Sequence, residues 1–324
     1  MFILGMDIGG TKTEVAVLRV EHNSKKFQII SRMRAPTHRH EGFDVIFDEL
    51  ITLTKQVLEQ AKVDTKSLVG IGIGLPGSVE PKTMKMTFGN TMALIGKDLP
   101  QKMRNALKVK CKVICENDAN CFALAESLYG AGLEHSKKIK KAANALTSVG
   151  VILGTGVGGG IILAGKIHAG RLGGAGEIGH TELYTNGHPC YCGRNGCAEN
   201  YLSGAGIEAL FGARMYSQIK ERPDAKGIME LYRKKDPAAV ACVLQYKRDL
   251  GKFLGNIQNI FDPDYFVLGG GMSNIPEIYT HLKEEIQKHC FLPHSAPDVY
   301  RNELGDSAGV IGAAVLAFNS SLKE

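Results

Sequence analysis

Two glycine-rich turns, each between two apolar segments, limit the folds open to this chain more than any other feature. The first lies in "FILGMDIGGTKTEVAVLRV" (residues 2–20) and the second in "LTSVGVILGTGVGGGIILAGKIHAG" (146–170). Because β-branched and aliphatic residues flank both turns, each segment predicts a β-hairpin. The hairpins lie about half a chain apart, which indicates a weak internal repeat.

Neither turn fits the common nucleotide-binding motifs that a helix must follow. "GTGVGG" (154–159) matches G-x-G-x-x-G, but the dinucleotide fingerprint needs a helix next, and "IILAGKI" (161–167) predicts a strand. "GGTKTEV" (9–15) also runs into a strand, and the chain has no G-x-x-x-x-G-K-[ST] segment. The sequence therefore argues against a Rossmann site and a P-loop.

The glycines of the two turns can still expose backbone N–H groups that cradle phosphate oxygens. The hydroxyls of Thr11, Thr13 and Thr155 can donate as well. The alternative is two ordinary tight turns. A third glycine run at a strand end, "LGGGMS" (268–273), favours a bound nucleotide.

The remaining hydrophobic periodicity predicts an α/β protein, since strands and helices alternate. Predicted helices cover 43–62, 97–108, 119–130, 203–220, 237–260, 276–290 and 305–319, the last with Asp306 or Ser307 as N-cap; predicted strands cover 68–77, 111–117 and 265–271, and a loop lies around 88–96. A chain of 324 residues is long enough for about two domains. We expect a small domain of residues 1–118 and 306–324 and a large one of 119–305.

Composition excludes several classes of protein. No run of 18 apolar residues could span a bilayer, and the amino terminus has no basic segment or cleavage site of a signal peptide, so a cytoplasmic protein without membrane contact is expected. The net charge of +6 has one dense cluster, "HSKKIKKAAN" (135–144). Such a cluster can bind nucleic acid but is more typical of a solvated loop or helix end, and we expect no nucleic-acid partner.

The segment "ENDAN" (116–120) puts Asp118 where a predicted strand gives way to a helix. An N-cap role would explain this aspartate by itself. Ligands often bind at the carboxyl ends of strands in open α/β sheets, however, where Asp118 and Asn117 could hold a polyol hydroxyl. In phosphoryl transfer, Asp118 is suited to accept the hydroxyl proton.

Three cysteines lie together in "HTELYTNGHPCYCGRNGCAEN" (180–200). Without a secretion signal, disulfides are not expected, and three clustered thiols argue against a single catalytic one. Cys190, Cys192 and Cys197 with either His180 or His188 would instead close a tetrahedral, structural zinc site. Two flanking carboxylates, Glu177 and Glu199, suit sugar hydroxyls or are surface charges.

Together these segments resemble the ROK family (repressors, unclassified reading frames, kinases), and in particular its bacterial sugar kinases. The resemblance is carried by "MDIGGTKTEVAVL", "ENDANCFALAES", "ILGTGVGGG", "GEIGHTEL", "CYCGRNGCAENYLSG" and "VLGGGMSN", which span nearly the whole chain. It implies two α/β domains of the actin-like, ribonuclease-H-like fold with a cleft between them. It also implies Mg²⁺- and ATP-dependent phosphorylation of a hexose, usually at the 6-hydroxyl, and often a homodimer.

By matching motif positions, the resemblance assigns roles to individual residues. Asp118 would be the catalytic base. The sugar would be held by Gly77, Asn90, Asn117, Asp118, Glu177, His180 and Glu199. The nucleotide would be held by Gly9, Gly10, Thr11, Lys12, Thr155, Gly156, Gly270 and Gly271. Zinc would be held by His180, Cys190, Cys192 and Cys197, so that His180 touches both metal and sugar.

The preferred hexose is the open part of this prediction. Glucose is the leading substrate, with N-acetylglucosamine, fructose and mannose as alternatives. The segment "FGNTMALIG" (88–96), which helps shape the pocket around the sugar's substituents, does not match the family closely enough to decide. A different class of protein, a sugar-sensing regulator without turnover, is the remaining alternative; Asp118 and both turns favour the enzyme.

Overall fold

A computed structural model describes residues 1–21, 27–215 and 223–322. The chain forms two compact units. The first unit comprises Met1–Gly130, Lys166–Ala175 and Leu304–Glu324, and the second comprises Ala131–Gly165 and Gly176–Glu303. Each unit is built around its own β-sheet.

The described residues form twelve strands and ten α-helices. The strands are β1 (Phe2–Ile8), β2 (Lys12–Val20), β3 (Phe27–Pro36), β4 (Leu68–Leu75), β5 (Gly77–Val79), β6 (Met86–Gly89), β7 (Lys112–Asn117), β8 (Ser148–Leu153), β9 (Val157–Leu163), β10 (Lys166–Ile167), β11 (Tyr265–Gly269) and β12 (Asp298–Arg301). The helices are α1 (Phe43–Ala61), α2 (Leu99–Leu107), α3 (Asp118–Tyr129), α4 (Ala131–Ile139), α5 (Glu199–Leu202), α6 (Gly204–Met215), α7 (Ala225–Arg233), α8 (Pro237–Phe261), α9 (Leu282–Gln287) and α10 (Ala308–Ser321).

The sheet of the first unit has the strand order β3-β2-β1-β4-β7. The three strands β1, β2 and β3 pair antiparallel, whereas β1, β4 and β7 run parallel. Alternate side chains of β1, such as Leu4 and Met6, are buried in one core with Leu50 and Val57 of α1. The unit therefore buries the apolar face of α1 against one side of the sheet.

The opposite face of this sheet carries glycines because α10 lies directly on it. A methyl group built on Gly72 of β4 would lie 1.8 Å from the carbonyl oxygen of Ala313. Since α10 is apolar on nearly every side and almost fully buried, this contact lets the carboxyl-terminal helix complete the first unit.

The second unit repeats the arrangement of the first. Four adjacent strands of its sheet, in the order β9-β8-β11-β12, join an antiparallel hairpin to two parallel strands, as β2-β1-β4-β7 do. The predicted α/β class, both hairpins and the internal repeat are confirmed.

Several boundaries differ from the sequence predictions. Residues 118–129 form α3, which packs against α10, so the first segment of the first unit extends to Gly130 instead of 118. The predicted single helix 276–290 is wrong: a 3-10 turn (Pro276–Tyr279) is followed by α9, because His281 adopts a left-handed conformation at φ 56° and interrupts the helix. Only 203–215 of the helix predicted at 203–220 lies in the described chain, and there Ser203 separates α5 from α6.

None of the helices in the described ranges has the length and apolar character that a bilayer crossing requires.

Candidate active site

The first glycine-rich turn joins β1 to β2 in the first unit. The N–H of Gly9 donates to the carbonyl of Lys12 at 2.9 Å, which closes the turn over Gly10 and Thr11. Lys12 extends outward and lies 3.3 Å from Asp306, with half of its side chain exposed. The turn thus presents backbone amides and one cation on the surface of the unit, as a phosphate site requires.

Two carboxylates, those of Asp7 and Asp118, lie next to this turn. Asp7 lies near the end of β1 and pairs in register with Gly74 of β4, while Asp118 follows β7. A methyl group built on Gly74 would lie 3.2 Å from Asp7 Oδ1 and 3.7 Å from Asp118 Cα. The glycine therefore leaves room for two acids at one edge of the sheet.

Asp7 is a candidate site residue that the sequence motifs did not identify. Its Oδ1 is shielded from solvent and has no hydrogen-bond partner in the described structure, and its Oδ2 faces Gly309 of α10, where a methyl group would lie only 2.3 Å away. Such a buried carboxylate without a donor is the kind of oxygen ligand that a hard divalent cation binds. One signal was available: an acidic residue inside the otherwise apolar strand "FILGMDI".

Burial raises the pKa of Asp7 from its ordinary 3.8 to about 7, and the negative charges of Asp118 and Glu14 act in the same direction. Lys12 and Arg34 oppose this shift to a smaller extent. In the absence of a cation, folding therefore disfavours the charged form of this carboxyl group.

We expect Asp7→Asn to remove a pH-dependent cost of folding. Because the folded-state pKa of Asp7 is raised, the contribution of this carboxyl group to the free energy of unfolding is largest below pH 3.8. That contribution is lost as pH rises from 3.8 through about 7. The free energy of unfolding of D7N minus that of the wild type should therefore grow by about 4 kcal/mol between pH 4 and pH 8. Urea denaturation in magnesium-free buffer measures it, with exposed Asp44→Asn as the control. If the difference in the free energy of unfolding did not change with pH, the raised pKa of Asp7 would be contradicted.

Asp118 occupies the first turn of α3, but it is not the N-cap that the sequence allowed. That position belongs to Asn117, whose Oδ1 accepts from the N–H of Asn120 at 3.0 Å. Asp118 Oδ1 accepts from the N–H of Ala119 at 2.8 Å and from Asn117 Nδ2 at 3.3 Å. The capping explanation of Asp118 therefore does not hold, and its side chain is oriented by neighbours of its own helix.

The predicted sugar-binding residues of the first unit lie at the end of β7 and on or next to the small hairpin of β5 and β6. Asn117 Nδ2 donates to the carbonyl of Gly77 at 3.2 Å, and Gly77 pairs with Gly89 across β5 and β6. Asn90 follows this hairpin directly and is exposed. The structure therefore connects Gly77, Asn117 and Asp118, with Asn90 at the adjoining turn.

The second glycine-rich turn, in the second unit, is held by Glu199. Glu199 Oε2 accepts from the N–H of Val157 at 2.9 Å, and a methyl group built on Gly156 would lie 2.5 Å from the same oxygen. The N–H of Gly204 donates to the carbonyl of Gly154 at 2.8 Å. One predicted sugar ligand thus also fixes the turn that carries Thr155 and Gly156.

A 3-10 turn, Ile178–His180, packs against the same hairpin. A methyl group built on Gly179 would lie 2.0 Å from the carbonyl oxygen of Val157, so the turn lies directly on β9. Glu177 precedes this turn and is exposed. Within the second unit, Glu177, His180 and Glu199 are therefore all positioned by the β8–β9 hairpin.

The four predicted zinc ligands come together in the second unit. The ligand atoms of His180, Cys190, Cys192 and Cys197 all lie within 4.8 Å of one another. Cys192 Sγ lies 3.6 Å from Cys197 Sγ, and Cys190 Sγ lies 3.6 Å from His180 Nδ1. Ligands of a tetrahedral zinc at about 2.0–2.3 Å from the metal lie roughly 3.5–3.8 Å apart, so this donor set fits the ion.

Two further observations bear on this cluster. The N–H of Arg194 is the largest of the influences that lower the pKa of Cys192 to about 6, which favours the thiolate that binds metal. His188 is not part of the group; its ring lies against that of Tyr201 at 5.4 Å. His180 Nε2 lies 3.1 Å from the hydroxyl of Tyr191, which leaves Nδ1 directed at the thiols.

The second unit also contains a pocket of about 810 Å³, a volume typical of small-molecule sites. Thr155 and Gly271 line it, together with Met229 of α7 and with Met272. Gly270 has φ 81°, and a methyl group there would lie 2.5 Å from the carbonyl oxygen of Leu153. Of the predicted nucleotide-binding residues, Thr155 and Gly271 therefore line this cavity, whose walls are partly apolar and partly polar.

The chain is similar to known proteins over nearly its whole length. The model of the ROK family matches residues 3–320. An N-acetyl-D-glucosamine kinase from Haemophilus influenzae is 32% identical over 324 residues, covering 96% of this chain and 98% of the relative. An N-acetyl-D-glucosamine kinase from Escherichia coli is 35% identical over 322 residues, with 96% and 98% covered.

Two solved structures show the same fold. The ROK hexokinase from Thermus thermophilus superposes with a TM-score of 0.81 at 28% identity, covering all of both chains. A ROK family glucokinase from Streptomyces griseus, in complex with glucose and AMPPNP, has a TM-score of 0.77 at 29% identity and covers 98% of this chain and 100% of its own. The fold is thus that of the actin-like ATPases. The chain belongs to the ROK family, and the four relatives named here are sugar kinases.

Proposed function

We propose that this protein is an ATP-dependent kinase that phosphorylates the 6-hydroxyl of N-acetylglucosamine. The observation that carries the proposal is the pair of acids beside the first glycine turn, Asp7 and Asp118, in a chain that belongs to the ROK family over nearly its full length. The structure in complex with glucose and AMPPNP, at 29% identity, supports a hexose and a nucleoside triphosphate as the two substrates.

Asp118 is the proposed catalytic base. Its carboxylate is oriented by the N–H of Ala119 and by the amide of Asn117, which is itself tied to Gly77. In a loose transition state the proton of the nucleophile leaves late, so a carboxylate with this fixed orientation is sufficient. Its main contribution is to direct the sugar hydroxyl towards the phosphorus atom.

The first unit supplies one set of proposed ligands and the second unit supplies another. In the first, the turn formed by Gly9, Gly10, Thr11 and Lys12 binds phosphate oxygens, and Gly77, Asn90 and Asn117 bind the sugar. In the second, Thr155, Gly156, Gly270 and Gly271 bind the nucleotide, and Glu177, His180 and Glu199 bind sugar hydroxyls.

Two metal ions belong to this proposal. Asp7 would hold Mg²⁺, since its buried Oδ1 lacks a donor and lies among negative neighbours. When bound, Mg²⁺ neutralises charge on the transferred phosphoryl group. A structural Zn²⁺ would be held by His180, Cys190, Cys192 and Cys197. Four protein ligands leave no coordination position open for water.

N-acetylglucosamine replaces glucose as the leading substrate. The sequence motifs alone favour glucose, but the two curated relatives named above, at 32% and 35% identity, are N-acetyl-D-glucosamine kinases. The Streptomyces griseus structure, at 29% identity, keeps glucose as the second candidate. The homodimer and the cytoplasmic location stay predictions.

A coupled ADP-release assay over N-acetylglucosamine, glucose, mannose and fructose tests the proposal. We expect kcat/KM for N-acetylglucosamine to exceed that for glucose by at least about tenfold, since one well-placed group of a substrate is worth ~1–3 kcal/mol. A higher kcat/KM for glucose than for N-acetylglucosamine would contradict the proposed substrate. Binding of a sugar without turnover of any would favour the sensing regulator.

A further inference from the structure

The loop that follows β3 is attached to the first glycine turn. The N–H of Thr37 donates to the carbonyl of Thr11 at 2.9 Å, and the hydroxyls of Thr37 and Thr13 lie 2.7 Å apart. Thr37 and Thr13 are both buried. The residues immediately after Thr37 therefore have a fixed position relative to the turn.

Arg39 uses this position to bring its guanidinium group to the glycine turn. A methyl group built on Gly10 would lie 3.3 Å from Arg39 Nη1. The N–H of Arg39 donates to the carbonyl of Thr37 at 2.8 Å, and Arg39 Nε donates to His40 Nε2 at 3.1 Å. With Nε engaged, Nη1 is the nitrogen of the half-buried side chain that lies against the turn.

The positively charged side chains around this turn differ in whether a carboxylate pairs with them. Arg34 is paired with buried Glu14 at 2.7 Å, and Lys12 is paired with Asp306 at 3.3 Å. The two glutamates nearest to Arg39 in sequence and fold, Glu41 and Glu49, lie against His38 instead. Within the part of the chain that the structure describes, Arg39 has no carboxylate within 4.0 Å.

We propose that Arg39 is a further phosphate-binding residue, which contacts a terminal phosphate group of the nucleotide held at the Gly9–Lys12 turn. The inference rests on the proposed kinase function and adds to it a residue outside the sequence motifs. An anion at this turn would meet the backbone amides and a guanidinium fork whose charge no acid among the described residues neutralises. That fork matches the spacing of phosphate oxygens, which a single ammonium group does not.

Binding measurements on the full-length chain test this role. The Kd values of AMPPNP and of adenosine are measured by calorimetry for the wild type, Arg39→Ala and Arg39→Lys, with Arg104→Ala as the control. Arg104 is also half-buried in the first unit, where it donates to Gln101 on α2. We expect R39A to weaken AMPPNP binding at least about tenfold and R39K less, because lysine keeps the charge but loses the fork. Adenosine binding, and AMPPNP binding to R104A, should match the wild type.

The result separates this proposal from the proposed function. If R39A binds AMPPNP as the wild type does, or loses affinity for adenosine by the same factor, the phosphate contact is overturned while the kinase assignment stands. A wild-type chain that binds AMPPNP more tightly than R39A but phosphorylates no sugar supports the Arg39 contact and contradicts the kinase. A wild-type chain that binds no AMPPNP overturns both.

Discussion

Asp118→Asn should lower kcat by at least about 100-fold, the usual effect of removing a general base, while sugar and ATP still bind. The asparagine keeps the oxygen that accepts from the N–H of Ala119 and from Asn117, so the local structure should persist. What it removes is the capacity to take the hydroxyl proton. Steady-state kinetics, with binding of sugar and AMPPNP measured separately, give the result.

The matched control for this variant is Asp44→Asn. Asp44 lies in the first turn of α1, in the same unit as Asp118, but it is exposed and distant in sequence from both glycine turns. D44N should keep wild-type kcat. If D118N retained a kcat within a factor of about three of the wild type, Asp118 could not be the base.

Cys192→Ser should abolish zinc binding and lower stability and activity together. The thiolate of Cys192 is one of four ligand atoms within 4.8 Å of one another, and serine cannot replace its soft sulfur. Because the proposed zinc would hold the loop that begins at His180 and ends beside Glu199, its loss should also displace proposed sugar ligands. We expect a fall of several degrees in Tm and a loss of at least about tenfold in kcat/KM, since even outer-shell changes at zinc sites have such effects.

Cys290→Ser is the matched control for the zinc prediction. Cys290 lies outside the cluster and donates to the carbonyl of Ile286 at 3.4 Å, a bond that serine can keep. Metal analysis, thermal denaturation and kinetics are compared for the two variants and for wild type treated with a strong chelator. If freshly purified, active wild-type protein contained no zinc, the assignment of the cluster as a zinc site would be wrong.

The sequence could predict those parts of the fold whose signals are local. Strands β1 and β2 are apolar runs on either side of a glycine turn, and the same pattern recurs at β8 and β9, so both hairpins and the repeat are recognisable. The break before α9 could not be predicted from amphipathic periodicity, because it depends on the left-handed conformation of one residue, His281. The boundary at Gly130 depends on the packing of α3 against α10, nearly 200 residues later.

The sequence predicted those parts of the candidate site whose ligands lie in one short segment of the chain. It did not predict residues that depend on contacts with distant segments. His180 and the three cysteines lie within 18 residues of one another, and the structure brings their ligand atoms together. Asp7 was missed because its burial depends on Gly74 and Gly309, from two other parts of the chain. Arg39 was missed for a similar reason, since the contacts of Thr37 that bring it to the turn are not visible in the sequence.

The most direct test of the central claim is to identify the product by NMR. Wild-type protein is incubated with ATP, Mg²⁺ and N-acetylglucosamine, and phosphorus–proton coupling identifies the oxygen that carries the new phosphate. We predict N-acetylglucosamine 6-phosphate and ADP in equal amounts, with no sugar phosphate formed by D118N over the same period. ADP without a sugar phosphate, or phosphate on an oxygen other than O6, would contradict the account.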